Sequence, residues 1–178
     1  MRTHRAGFTL VELMIVVSII GVLAALAIYG VARYLRHAKT AEATRALGAI
    51  ENGSRQQYER ETPWGDPSSV MTLAWVHSFC PPDGPTPASV PMASKAPVVA
   101  GQWDTQGWAC LKFAIDAPSY YSYQYASNSG TGTAAVYSAY AFGDLDGNGV
   151  QSTFRLVGVG GPGGDAVRQS WLAINEDE

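Results

Sequence analysis

Histidine and cysteine are scarce in this chain, with three and two copies in 178 residues, and proline is missing altogether from the first 62. His4, His37 and His77 stand far apart without a neighbour spaced as in a metal site or a catalytic triad, which argues against an enzyme. The glycine-rich stretch Gly158, Gly160, Gly161, Gly163 and Gly164 has no Lys-Ser/Thr after it, so it does not read as a phosphate loop and is expected to be a flexible loop. Basic residues are few after Thr62. Residues 1–62 carry eight Lys/Arg against five Asp/Glu, and residues 63–178 carry four against ten, so net charges of +3 and −6 sum to the −3 of the whole. Nucleic acid is a poor partner for such an acidic C-terminal part, because phosphate contacts need clustered cations. With 47% of residues apolar, the chain can nonetheless build a core.

From Leu13 to Ala32 no residue carries a formal charge. These twenty residues, at ~1.5 Å rise each, reach roughly 30 Å, the thickness of a bilayer core. The run exceeds the ~7–15 residues of a signal-peptide core, and no small-x-small cleavage site follows it in Arg33-Tyr-Leu-Arg-His37. The apolar segment is therefore expected to stay in the protein. Glu12 breaks the pattern near its start, and a carboxylate near the bilayer centre costs on the order of 2.5 kcal/mol or more. Either Glu12 is solvated at the membrane edge or it has a cationic partner.

Gly7-Phe8, Glu12 four residues on, and the apolar run to Ile28 resemble the N-terminal motif of type IV pilins and pseudopilins. The resemblance implies a leader, residues 1–7, removed after Gly7 on the cytoplasmic side by a prepilin peptidase. Phe8 then becomes a methylated N-terminus whose amine pairs with Glu12 of a neighbouring subunit. It also implies a single-pass inner-membrane precursor with a cytoplasmic N-terminus, an inner-membrane assembly platform, and a homo-oligomeric extracellular filament that includes other pilins. The physics is compatible, since an unpaired carboxylate is far costlier in a low-dielectric bundle than a paired one. Tyr29-Gly30 stands where the family usually has a proline. For a chain sent to an oxidising compartment, Cys80 and Cys110 read as a disulfide, with two buried thiols as the alternative.

The expected fold is α+β and type IV pilin-like, a long N-terminal helix packed on an antiparallel sheet of three to four strands. Helix is expected over residues 8–62, membrane-spanning over about 8–32 and amphipathic over about 33–60. Its buried face would carry Leu35, Ala38, Ala46, Leu47, Ile50, Gly53 and Tyr58, with Glu51 bridging Arg55, and Pro63 would end it. The head, residues 63–178, divides into an irregular variable loop over 63–119, with a helical turn or two around Ser69–Ser78, and a β-meander over 120–178. Tyr121, Tyr123 and Tyr125 alternate as packing residues, the other reading being a ligand-stacking stripe.

Asp144-Leu-Asp146-Gly-Asn148-Gly149 matches the first half of an EF-hand loop, but Arg155 occupies the twelfth position, where calcium needs a bidentate Glu. A hairpin turn without cofactor is the preferred reading and calcium the alternative. The function so indicated is a structural pilus subunit supporting adhesion, motility or DNA uptake. The alternatives are a minor tip pilin, binding ligand through Trp64, Trp75, Trp103 and Trp108, or a pseudopilin of a type II secretion system.

Overall fold

The computed structural model describes residues 7–64 and 74–176, except the side chains of Tyr29, Ala32 and Trp64. Residues 1–6 of the leader, and the 69–73 part of the expected helical turn, lie outside the described residues. The chain divides into two compact units, Met1–Arg36 and His37–Glu178. One helix, α1 (Leu10–Tyr58, 49 residues), runs through both.

In the first unit the described residues leave the apolar side chains of α1 uncovered. Its most apolar 18-residue window has a mean hydropathy of 2.7 and is 0% buried. Leu13, Ile19, Leu23, Leu26 and Leu35 are all exposed. By length and composition this segment can cross a membrane. The backbone stays helical through Tyr29 and Gly30.

In the second unit the same helix is amphipathic and buried along one side. Thr40, Ala43, Ala46, Leu47, Ile50, Glu51, Ser54 and Tyr58 are buried, at the three- and four-residue spacing of one helical face. Burying Leu47 and Ile50 contributes roughly 1.5–3 kcal/mol each. The buried face starts later than expected. Leu35 and Ala38 are exposed, because the core that covers this face begins at Ala43. The helix also stops earlier, at Tyr58, whose carbonyl accepts the Nδ1–H of His77 at 2.7 Å. Pro63 lies in a strand instead. That strand, β1 (Glu61–Trp64), pairs antiparallel with β2 (Ala74–His77), so residues 74–77 are strand and not helical turn.

The sheet is larger than the three or four strands expected. β3 (Asp83–Thr86), β4 (Tyr121–Ser127), β5 (Val136–Gly143), β6 (Ser152–Gly160) and β7 (Ala166–Ile174) form a five-stranded sheet in that order. The last four are the anticipated meander, and β3 joins its edge through Asp83↔Tyr125 and Thr86↔Tyr123. The region 63–119 therefore contributes three strands and a short helix, α2 (Gln106–Leu111), to the head.

Cross-strand pairing explains why three tyrosines fit under a helix. Tyr121, Tyr123 and Tyr125 on β4 face Gly143, Ala141 and Ala139 on β5, so each large ring lies beside a small residue. Tyr137 on β5 likewise faces Gly158 on β6. A Cβ at Gly158 would stand 2.2 Å from the Tyr137 ring, and one at Gly160 would stand 2.1 Å from the Tyr58 hydroxyl. Gly158 and Gly160 are thus strand residues whose side-chain space is filled by tyrosine, not parts of a flexible loop. Tyr121, Tyr123 and Tyr125 are fully buried, which is the packing reading.

One ion pair crosses from helix to sheet. Arg168 on β7 donates through Nε to Glu51 Oε1 at 3.0 Å and through Nη2 to Oε2. Sequence order suggested Arg55 as the partner of Glu51, but Glu51 lies on the buried face, where β7 supplies the cation. The geometry is the bidentate fork that favours arginine over lysine. Arg168→Leu leaves the buried Glu51 carboxylate uncompensated and is expected to cost about 1–3 kcal/mol. Arg168→Lys should recover only part of this, as read from thermal unfolding of the full chain in detergent micelles.

Burial also holds the core phenols in their neutral form. Tyr121 is pushed up to about 12 by desolvation, against an ordinary value of 10.0, and Tyr123, Tyr125 and Tyr137 are raised further by the same cause. Well below pH 10 these phenols are protonated in both folded and unfolded chains, so stability does not vary with their titration. As pH approaches and passes 10 the unfolded chain ionises first, and stability falls as pH rises toward the folded values. The thermal midpoint should drop from about pH 9 to about pH 11, with the phenolate absorbance of these four tyrosines appearing only on unfolding. Phenolate appearing in the folded protein for all its tyrosines would contradict the burial.

Candidate functional site

The N-terminal segment is built around a helix start. Gly7 and Phe8 precede α1 outside regular secondary structure, and Phe8 is 80% exposed. Thr9 is the residue just before the helix and Glu12 the third within it, the arrangement of a capping box. Glu12 Oε2 accepts the Thr9 backbone N–H at 2.8 Å and the Thr9 hydroxyl at 2.7 Å, while the Glu12 N–H donates back to Thr9 Oγ1 at 3.3 Å. Gly7 has a different status from the core glycines. A Cβ there would meet nothing within 4 Å, so the fold of this chain does not require glycine at that position.

In the head, Cys80 and Cys110 form a disulfide, which excludes the two-thiol alternative. The bridge ties the segment before β3 to α2, and two further contacts hold the same pair of elements. Asp83 Oδ2 accepts the N–H groups of Gly107 and Trp108 at 3.1 and 3.3 Å together with the Thr105 hydroxyl, so it caps α2 from β3. Trp108 Nε1 donates to Thr86 Oγ1 at 3.0 Å.

The Asp144–Gly149 segment connects β5 to β6, and its side chains bond its own backbone. Asp144 accepts from the N–H groups of Gly147 and Gly149 at 2.7 and 3.0 Å, Asp146 from that of Asn148 at 3.1 Å, and Asn148 from that of Val150 at 2.6 Å. Gly147 and Gly149 hold φ of +77° and +89°, as such a turn needs. Arg155 lies on β6 with its guanidinium 5.6 Å from the Tyr140 ring. Among the described residues no three His, Cys, Asp or Glu gather into a metal-sized group. His77 serves as the cap on α1 described above.

A family model described as the prokaryotic N-terminal methylation motif matches residues 2–28. This motif supports a type IV pilin-like protein. No curated protein and no solved structure matches it. The motif covers the segment that contains Gly7, Phe8 and Glu12 and the first half of the uncovered helix, and a membrane-anchored precursor is consistent with both. The α+β architecture, with a long helix whose second half packs on an antiparallel sheet, agrees with a pilin-like fold.

Among the described residues, the tryptophans of this pilin-like head do not form an exposed cluster. Trp103 and Trp108 are buried, their rings 5.2 Å apart in an edge contact, and both pack on Phe113. Trp75 is exposed on β2. The disulfide and the Asp83 cap draw α2 inward, which is why residues 103–108 join the core. The Trp64 side chain lies outside the described residues.

Thr9 is the functional-segment residue that motif reasoning passed over. The Thr-x-x-Glu spacing ahead of an apolar run was its signal. Thr9→Val removes the hydroxyl from the cap and should weaken the first turn by about 1 kcal/mol. Faster amide exchange at Glu12 in micelles would report it, and unchanged exchange would count against the cap.

Proposed function

We propose that this protein is a structural subunit of a type IV pilus filament. In this reading it is held in the inner membrane by the first half of α1, with its N-terminus cytoplasmic. It is cut after Gly7 by a prepilin peptidase, methylated at the Phe8 amine, and packed helix against helix into an extracellular fibre. The observation that carries the reading is the methylation motif at residues 2–28 on a helix whose apolar side chains the rest of the described chain leaves uncovered. Lipid covers those side chains before assembly and neighbouring helices cover them afterwards, so backbone hydrogen bonds stay intact throughout.

Gly7 supports the cleavage assignment, because glycine there answers no need of this chain's fold and does suit a peptidase that must approach the backbone. Gly21 and Gly30 support the packing. Each costs about 1 kcal/mol relative to alanine in a helix, and a Cβ at either meets nothing within 4 Å in this chain. Their benefit would lie in close approach by another helix. Glu12 has the docking role. Thr9 satisfies hydrogen-bonding capacity of its carboxylate but supplies no positive charge, and the Phe8 amine of a neighbouring subunit would. Such a subunit needs no covalent chemistry of its own and no cofactor.

The experiment is the intact mass of this protein in sheared filaments. Residues 8–178 plus one methyl group, less two hydrogens for the disulfide, is the expected species. Glu12→Ala should be cleaved and membrane-bound yet assemble poorly. A filament yield equal to that of the parent would remove the docking role, and a chain that never leaves the membrane would remove the filament itself.

A further inference from the structure

A cleft of about 420 Å³ lies between the buried half of α1 and the segment that follows α2, entirely within the second unit. Arg45, Lys95 and Lys112 line it together with Glu42 and Asp116, so its wall carries a net +1 on a unit whose eight Lys/Arg and fourteen Asp/Glu sum to −6. The charges are not equivalent. Glu42 is engaged, accepting the Tyr120 backbone N–H at 2.7 Å, with Lys95 Nζ 3.8 Å from its other oxygen. Arg45 and Lys112 are exposed at the cleft and have no ion-pair partner among the described residues.

Tyr123 closes the floor from beneath and is fully buried, its hydroxyl included. Phe113, Ile115 and Pro118 add apolar wall on the same side. Two cations without an ion-pair partner and an apolar wall, in a cleft of ligand size, are ordinary ingredients of a small-molecule site.

We propose that this cleft binds a small carboxylated ligand with one apolar face, the chemistry of a uronic-acid residue. The planar fork of Arg45 suits a carboxylate, and Lys112 adds a second cation. A net +1 matches a monoanion. A phosphate dianion would exceed it and would meet Glu42 and Asp116 unfavourably. Pyranose rings present C–H faces that pack on apolar walls of this kind.

The inference concerns residues 42–123 and stands whether or not the chain assembles into filaments. The test is a saturation-transfer NMR titration of the full chain in detergent micelles with D-glucuronate, D-glucose and inorganic phosphate as probes. Glucuronate should bind about tenfold more tightly than glucose, which has the same ring without the charge. Arg45→Gln and Lys112→Asn should each weaken glucuronate about tenfold. Asparagine is chosen because Lys112 sits at φ +53°, which asparagine tolerates. Absence of glucuronate transfer, equal affinity in the Arg45 variant and the parent, or tighter binding of phosphate would each overturn the proposal.

Discussion

The apolar surface of α1 between Leu10 and Leu35 is the constraint on which the remainder of this protein depends. A helix with exposed leucine, isoleucine and valine all round is unstable in water unless lipid or other helices cover it. The second unit carries its own core, so the two units answer to different solvents although one helix runs through both. At the start of that helix, the Thr9–Glu12 box satisfies hydrogen bonds that would be costly to leave open in lipid. It supplies no positive charge to the Glu12 carboxylate.

Within the head, the helix lies on tyrosines, and the tyrosines lie beside small residues. Tyr121, Tyr123, Tyr125 and Tyr137 each require a glycine or alanine on the adjoining strand, which ties side-chain size to strand register. A one-residue slip would put rings opposite rings and turn the aromatic face to solvent. The Glu51–Arg168 fork adds a charged link between helix and outermost strand, and the link is directional where the tyrosine packing is not. The disulfide, the Asp83 cap and the Trp108–Thr86 bond then fasten β3 and α2 onto this frame. A proline-rich segment with little regular structure of its own is thereby incorporated into the core.

The methylation motif, the apolar run and the meander could be read from the chain because each depends on local order. A charge-free stretch of twenty residues, a period of two through Tyr121–Tyr125 and turn residues at Asn128–Gly132 are properties of consecutive positions. The places where reading failed all involve partners distant in sequence. Glu51 is 117 residues from Arg168, and β3 pairs with a strand some forty residues later. Gly158 and Gly160 looked like loop because the rings filling their space belong to Tyr137 and Tyr58.

What the sequence by itself determined is the membrane-compatible helix, its motif at Gly7, Phe8 and Glu12, and the alternation that makes four strands of the sheet. Hydrophobicity and periodicity act over a few residues, so they are written in the chain. Only tertiary structure decided which helix face is buried, which cation meets Glu51, and that Trp103 and Trp108 turn inward. The cleft beside Tyr123 belongs to the same class. Its residues come from α1, from the segment around Lys95 and from the chain after α2, and packing alone brings their charges together.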